Sequence, residues 1–141
     1  TTTPWTLPAN VALAVNPGFT YVKVKTNDNY LILVKERMES CGVEGEIIKE
    51  FKGKDLVDLR YEPLYLLDEG NLKNAYKVIS ADFVSLEEGT GFVHVAPAFG
   101  EEDMEAIKNQ NLKIKSKNQN DKFPILLTVD EEGKFMLNVK K

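Results

Sequence analysis

The side chains able to do chemistry in this chain fall in two short runs. One is GTGFVHVAPAFGEED, from Gly89 to Asp103, which holds His94, the only histidine among 141 residues. The other is TTTPWTLPAN, from Thr1 to Asn10, whose hydroxyls flank a proline and the only tryptophan, Trp5. In the first run Gly89 and Gly91 bracket Thr90, a pattern that calls for a turn or close backbone approach. Strand alternation over Phe92 to Ala96 sends Phe92, His94 and Ala96 to one face and Val93 and Val95 to the other. Pro97 ends the pairing because it has no amide hydrogen. Glu101, Glu102 and Asp103 then open a helix, where the helix dipole favours negative charge. A histidine, a corner and a carboxylate thus meet at one strand end. The second run offers short donors and acceptors close to the backbone, and a large apolar wall with one indole donor. Taken alone, it reads equally well as a strand end with a local turn and a buried tryptophan.

Other kinds of chemistry are poorly served. The chain has no phosphate cradle of the GxxxxGKS/T type, no GxGxxG and no pair of CxxC motifs, and one histidine with one cysteine falls short of a conventional zinc set. A Ser-His-Asp triad would have to use His94, and no GxSxG elbow accompanies it. Cys41 has no histidine near it in sequence and reads as a filler or surface residue. Any reaction must therefore use water and pre-positioned polar groups. The net charge of −4 argues against a generic nucleic-acid-binding surface, though not against a nucleic acid held mainly by another part of a parent protein. No apolar run of about twenty residues predicts a membrane span. The lone cysteine suits a reducing compartment, so a cytoplasmic location is expected.

Positioning these residues falls to short strands. Val11 to Val15 alternates large and small side chains, and NPG at 16–18 marks a turn. Thr20 to Lys25 and Tyr30 to Val34 predict a hairpin joined around Asn27, Asp28 and Asn29. Lys35 to Cys41 reads as a short helical stretch ended by Gly42. Glu46 to Phe51 and Tyr76 to Phe83 read as strands, and Leu56 to Leu67 as an extended run interrupted by Pro63. Lys108 to Asn120 is polar enough to be a solvated helix end and loop. Ile125 to Val129 and Lys134 to Val139 predict a last hairpin across DEEG at 130–133. Roughly eight strands with turn signals about every ten residues, and few helices, suggest a barrel or closed sheet. The length suits one domain, residues 1–141, and a threonine start within a patterned segment suggests a piece excised from a longer chain.

These motifs carry a family resemblance. TTTPWTLPAN and GTGFVHVAPAFGEED resemble the two signature segments of the editing domain (a CP1-type insertion) of class I isoleucyl-tRNA synthetase. KGKDL at 52–56 with YEPL at 61–64, and TVDEEGKF at 128–135, resemble that family's connecting segments in the same order. The resemblance covers essentially the whole chain. Valyl and leucyl editing domains share a threonine-rich opening and a GTG segment, but they are less similar in Pro4-Trp5 and in His94 to Gly100. The resemblance implies an α+β fold, a β-barrel-centred editing domain with a few peripheral helices. It implies hydrolysis of valine wrongly esterified to the isoleucine tRNA, with valyl-adenylate as a further candidate substrate. Such a second sieve is needed because one methylene gives too little binding energy to exclude valine, for which isoleucyl-tRNA synthetase is itself the standard example. ATP and any zinc would belong to the remainder of the parent synthetase, leaving this domain with no cofactor or metal.

The substrate's chemistry and the family's positions assign roles together. An aminoacyl ester presents an ammonium, and Asp103 matches the carboxylate that would anchor it. Thr2 and Thr3, with Thr1 behind them, match the segment that lines the aminoacyl pocket and would hold the water or the ester oxygens. Thr2, Thr3 and Asp103 are the catalytic candidates. Thr1, Trp5 and His94 join them in substrate binding, with Trp5 and His94 bounding the side chain. Asn10 is a weaker, structural candidate, and Glu101 and Glu102 serve the helix start. No residue is identified as a general base; the substrate's ribose hydroxyl is an alternative source of assistance. Two other readings stay open: a valyl- or leucyl-type editing domain, and a module that binds the tRNA end or an adenylate without hydrolysis.

Overall fold

The computed structural model describes residues 1–67 and 72–136 and the backbone of 139–140. The architecture is α+β. The strands are β1 (Ala12–Val15), β2 (Thr20–Lys25), β3 (Tyr30–Val34), β4 (Glu46–Lys52), β5 (Leu66–Leu67), β6 (Lys77–Ser80), β7 (Phe92–Val95) and β8 (Val139–Lys140). One α-helix, α1 (Glu101–Lys113), follows β7. The strands pair as three sheets, of order β6-β1-β7, β3-β2-β4 and β5-β8. Those pairings do not by themselves close a barrel. The chain forms two compact units, and it passes from one to the other within β1, between Leu59 and Arg60, at the start of β6 and within β7.

One unit comprises 14–59 and 78–93. Its sheet is antiparallel, with Tyr21 opposite Val34 and Phe51, and with an irregularity between Lys23 and Val24 on the β4 side. Val22, Val24 and Leu33 form a core on which Met38, Cys41 and Val43 pack. The segment expected to be helical from Lys35 is a single 3-10 turn, Lys35–Arg37, continued by turns to Gly42. Arg37 clamps the glycine turn, donating from Nε to Gly89 O (2.8 Å) and from Nη1 to Leu86 O (3.0 Å). Cys41 adds a contact from Sγ to Gly89 O (3.3 Å), so it serves as core filler. Gly91, at φ +87°, has no room for a side chain: a Cβ there would lie 2.1 Å from Val34 Cγ2. Tyr21, whose hydroxyl donates to Gly91 O (2.6 Å), presents its ring edge-on to Phe92.

The other unit comprises 1–13, 60–77 and 94–141. Val11 is its hinge of pairing: its N–H donates to Val95 O (2.9 Å) and its carbonyl accepts from Tyr76 N–H (2.7 Å). Helix α1 starts at Gly100 without a side-chain cap and buries Ile107. Asn111 fixes the returning chain, accepting from Phe123 N–H (2.7 Å) and donating to Phe123 O (3.2 Å). Among the described residues the predicted last hairpin shows its turn and the pairing next to it, in which Met136 N–H donates to Thr128 O (3.0 Å). Val129 and Phe135 form one antiparallel bridge around Asp130, whose carbonyl accepts from Gly133 N–H and whose N–H donates to Lys134 O. Residues 137 and 138 of that hairpin lie outside the described set. Val139 pairs with Leu67 instead, because an antiparallel partner was available in β5.

Candidate functional site

All the residues singled out for chemistry belong to this second unit. The opening threonines do not end a strand. Pro4 to Ala9 form a 3-10 helix with Pro4 at its first turn, where a missing amide hydrogen costs nothing. At three residues per turn, side chains three apart eclipse one another. Thr3 and Thr6 are therefore stacked. Thr6 Oγ1 donates to Thr3 O (2.8 Å), and the two hydroxyls lie 3.5 Å apart. Thr1 continues the row, its Oγ1 3.3 Å from Thr3 Oγ1 and accepting from Thr3 N–H at 3.1 Å. Thr1 and Thr2 are exposed, Thr3 is half-buried and Thr6 is buried. Trp5 is 53% exposed, so it is not the buried tryptophan of the purely structural reading.

β7 delivers His94 to this row. Its Nε2 lies 2.9 Å from Thr6 Oγ1, and its Nδ1 lies 3.3 Å from Asn10 Nδ2. Asn10 in turn donates from Nδ2 to Ala12 O (2.8 Å) and accepts on Oδ1 from the Tyr61 hydroxyl. Those partners settle the protons. A carbonyl can only accept, so Asn10 Nδ2 faces Ala12 and has its second hydrogen for His94 Nδ1. Thr6 has spent its own hydrogen on Thr3 O, so it accepts from His94 Nε2–H. The ring is neutral, protonated on Nε2, with both nitrogens engaged. Burial lowers its pKa, and the Asp103 carboxylate works in the opposite direction. A ring so held is poorly placed to act as a general base.

Asp103 occupies the third position of α1, and its Oδ2 accepts from Ala96 N–H at 2.9 Å. The carboxylate thereby closes the Pro97 corner, and among the described residues its Oδ1 accepts no hydrogen bond. Glu101 and Glu102 are exposed in the same first turn. The structure thus brings together Thr1, Thr3, His94 and Asp103. It adds Thr6, Asn10 and Tyr61, of which only Asn10 had been considered for the site. Thr6 was legible as the residue one 3-10 turn after Thr3. Tyr61 was not, because it reaches Asn10 across 51 positions of sequence. Among the described residues no group of three or more His, Cys, Asp or Glu side chains is placed to hold a metal ion. No helix among them is long and apolar enough to cross a membrane.

No family model matches the chain. Among solved structures it is similar to the P. knowlesi cytosolic leucyl-tRNA synthetase editing domain, with a TM-score of 0.64 and 17% identity, covering 80% of this chain and 49% of that one. It is also similar to the CP1 domain of a further leucyl-tRNA synthetase, GlLeuRS, with a TM-score of 0.64 and 20% identity over 75% of this chain and 40% of that one. At such identities the likeness concerns the fold, which is that of a CP1-type synthetase editing domain. In sequence the chain is 50% identical to the isoleucine–tRNA ligase of Clostridium tetani over 141 residues, 96% of this chain and 12% of the relative. The corresponding enzyme of Pyrococcus horikoshii is 42% identical over 151 residues, 96% of this chain and 13% of the relative. In sequence the chain is thus similar to a segment of isoleucine–tRNA ligases at 42–50% identity, and it spans about an eighth of the length of the curated relatives it matches.

Proposed function

We propose that this domain hydrolyses the ester of valine mischarged onto the isoleucine tRNA, as part of a cytoplasmic parent synthetase. The observation that carries the reading is the threonine row, Thr1, Thr3 and Thr6, bonded to His94, whose ring feels the Asp103 carboxylate. Asp103 Oδ1 receives the substrate ammonium while Oδ2 stays with Ala96. Thr2 and Thr3 offer hydroxyls to the ester oxygens and the attacking water. His94 and Trp5 bound the amino-acid side chain, with His94 giving shape and a fixed dipole. With His94 neutral and engaged on both sides, the base is sought in the substrate's own ribose hydroxyl. Valyl-adenylate carries the same ammonium and acyl group and is a second substrate by the same chemistry. ATP and zinc are assigned to the remainder of the parent, and the domain uses neither.

Leucyl-type editing is the second reading, favoured by the solved structures and disfavoured by their 16–20% identity against 50% for the isoleucyl relative. The deciding experiment measures hydrolysis of valyl- and isoleucyl-tRNA by the parent synthetase with and without this segment. Loss of valyl-tRNA hydrolysis with the segment is the expected result. If Thr2 and Thr3 are replaced together by valine, hydrolysis should fall by about a hundredfold, as for two lost transition-state contacts. Unaltered hydrolysis of valyl-tRNA without the segment would rule the reading out; a segment that binds the tRNA end but leaves the ester intact would be a binding module.

A further inference from the structure

The hydrogen-bond row does not stop at His94. We infer that Tyr61 is a positioning residue of this site, which through Asn10 holds the His94 ring in its Nε2-protonated tautomer. The inference deepens the hydrolytic reading and rests on it for its catalytic meaning. Tyr61 is itself firmly placed. Its N–H donates to Tyr76 O (3.1 Å), and its ring stands edge-on to Tyr76, with centroids 6.0 Å apart at 76°. Burial, ahead of any other cause, raises the pKa of its hydroxyl far above the ordinary tyrosine range, so the group remains a donor. The hydroxyl donates to the Asn10 carbonyl and Ala12 O accepts from the Asn10 amide nitrogen, so the two together fix the side chain's orientation. The Asn10 amide nitrogen is then turned to Ala12 O and to His94 Nδ1. An amide N–H pointed at Nδ1 excludes a proton there, so the ring's hydrogen sits on Nε2 and points at Thr6. Thr6, relieved of donating to the ring, gives its hydrogen to Thr3 O. Tyr61, together with Ala12 O, thus holds the direction of the bonds that run through Asn10 and His94 to Thr6 and Thr3, although it touches none of the reacting atoms.

The test uses this chain labelled with 15N-histidine, in which His94 gives the only ring signals. The expected wild-type result is a neutral ring with Nε2 protonated and Nδ1 unprotonated. Tyr61→Phe preserves the ring packing and removes the hydroxyl, so the Asn10 amide loses one of its two anchors. The Nδ1-protonated form should then rise measurably. Asn10→Asp is the second variant: a carboxylate can only accept, so it should draw a proton onto Nδ1 outright. A wild-type ring already protonated on Nδ1 would overturn the inference. So would Tyr61→Phe spectra identical to wild type, whether or not Asn10→Asp moves the ring. In deacylation of valyl-tRNA by the parent, Tyr61→Phe should lower kcat about fivefold with KM little changed, as one lost net hydrogen bond in the supporting row. A wild-type ring in the assigned tautomer together with no hydrolysis would sink the hydrolytic reading while leaving the hold of Tyr61 on the ring in place.

Discussion

Asp103 illustrates how one carboxylate can serve structure and ligand together. Its Oδ2 closes the corner at Ala96, and a Cβ on Gly100 would lie only 3.0 Å from that oxygen, so helix start and carboxylate are fitted to each other. Replacement by alanine removes both roles, whereas asparagine keeps an acceptor for Ala96 N–H and removes only the charge. Asp103→Asn should therefore melt within a few degrees of wild type yet lose about tenfold or more in valyl-tRNA hydrolysis, the worth of a charge-assisted contact of about 1.5–3 kcal/mol. Thermal melts and deacylation rates of the two variants separate the roles; Asp103→Asn with full activity would move the ammonium anchor elsewhere. His94 supplies a second prediction, of pH dependence. Its pKa in the fold is lowered, by burial first, below the ordinary value of about 6.5. The unfolded chain then binds more protons than the folded one in the window beneath that value. The contribution to stability is full above about pH 6.5 and is lost as the pH falls through the folded pKa. Denaturation of wild type and His94→Gln at pH 7 and pH 5 should show the wild type losing more; parallel losses would contradict a neutral, buried ring.

At the scale of elements, the 3-10 helix of Pro4–Ala9 makes the site possible. It stacks Thr6 directly under Thr3, where an α-helix would have offset it by about 60°. Thr6→Val keeps the shape and the backbone bond to Thr3 O but strands His94 Nε2–H, so it should cost about 1–3 kcal/mol, while Thr6→Ser, which retains the hydroxyl, should cost much less. Equal destabilisation in urea titrations would show that packing matters rather than the bonds. Elements with strong local signals were legible in the sequence. The hairpin of β2 and β3 follows from alternation and its Asn/Asp turn, and α1 from three acids after a glycine. The Gly89–Gly91 turn was legible for the same reason, since both residues need positive φ. What was hidden depended on distant partners. The opening run reads in sequence as a strand end with a local turn, yet Pro4 starts a helix whose tightness no apolar period announces. The 125–139 run had hairpin composition, but its last strand found a partner in β5, more than seventy positions away. Tyr61 stood in a motif read only as a connecting segment, because nothing within a turn's length betrays its bond to Asn10.

For the whole molecule, charge decides how much of tRNA recognition this chain can supply. Phosphate contacts dominate nucleic-acid affinity, and each needs a cation. With 18 Lys and Arg against 22 Asp and Glu, this chain has no net attraction for a polyanion. Its chemistry, by contrast, is local, since Thr1 to Thr6, Asn10, Tyr61, His94 and Asp103 all lie in one compact unit. On the proposed reading, a site held within one unit of a net acidic chain should recognise the aminoacylated end and little else. The chain by itself should therefore hydrolyse valyl-tRNA and a short valyl ester of adenosine with kcat/KM values within about tenfold of each other, the difference of about 1.4 kcal/mol that a few weak contacts can make. Its rate on tRNA should change little between about 50 and 200 mM salt, because few counterions are released, whereas the parent should lose affinity steeply over that range. Steady-state rates for both substrates at several salt concentrations test this directly. Micromolar saturation by tRNA with a steep salt slope, in the chain alone, would place a phosphate-binding surface within these 141 residues, against their composition.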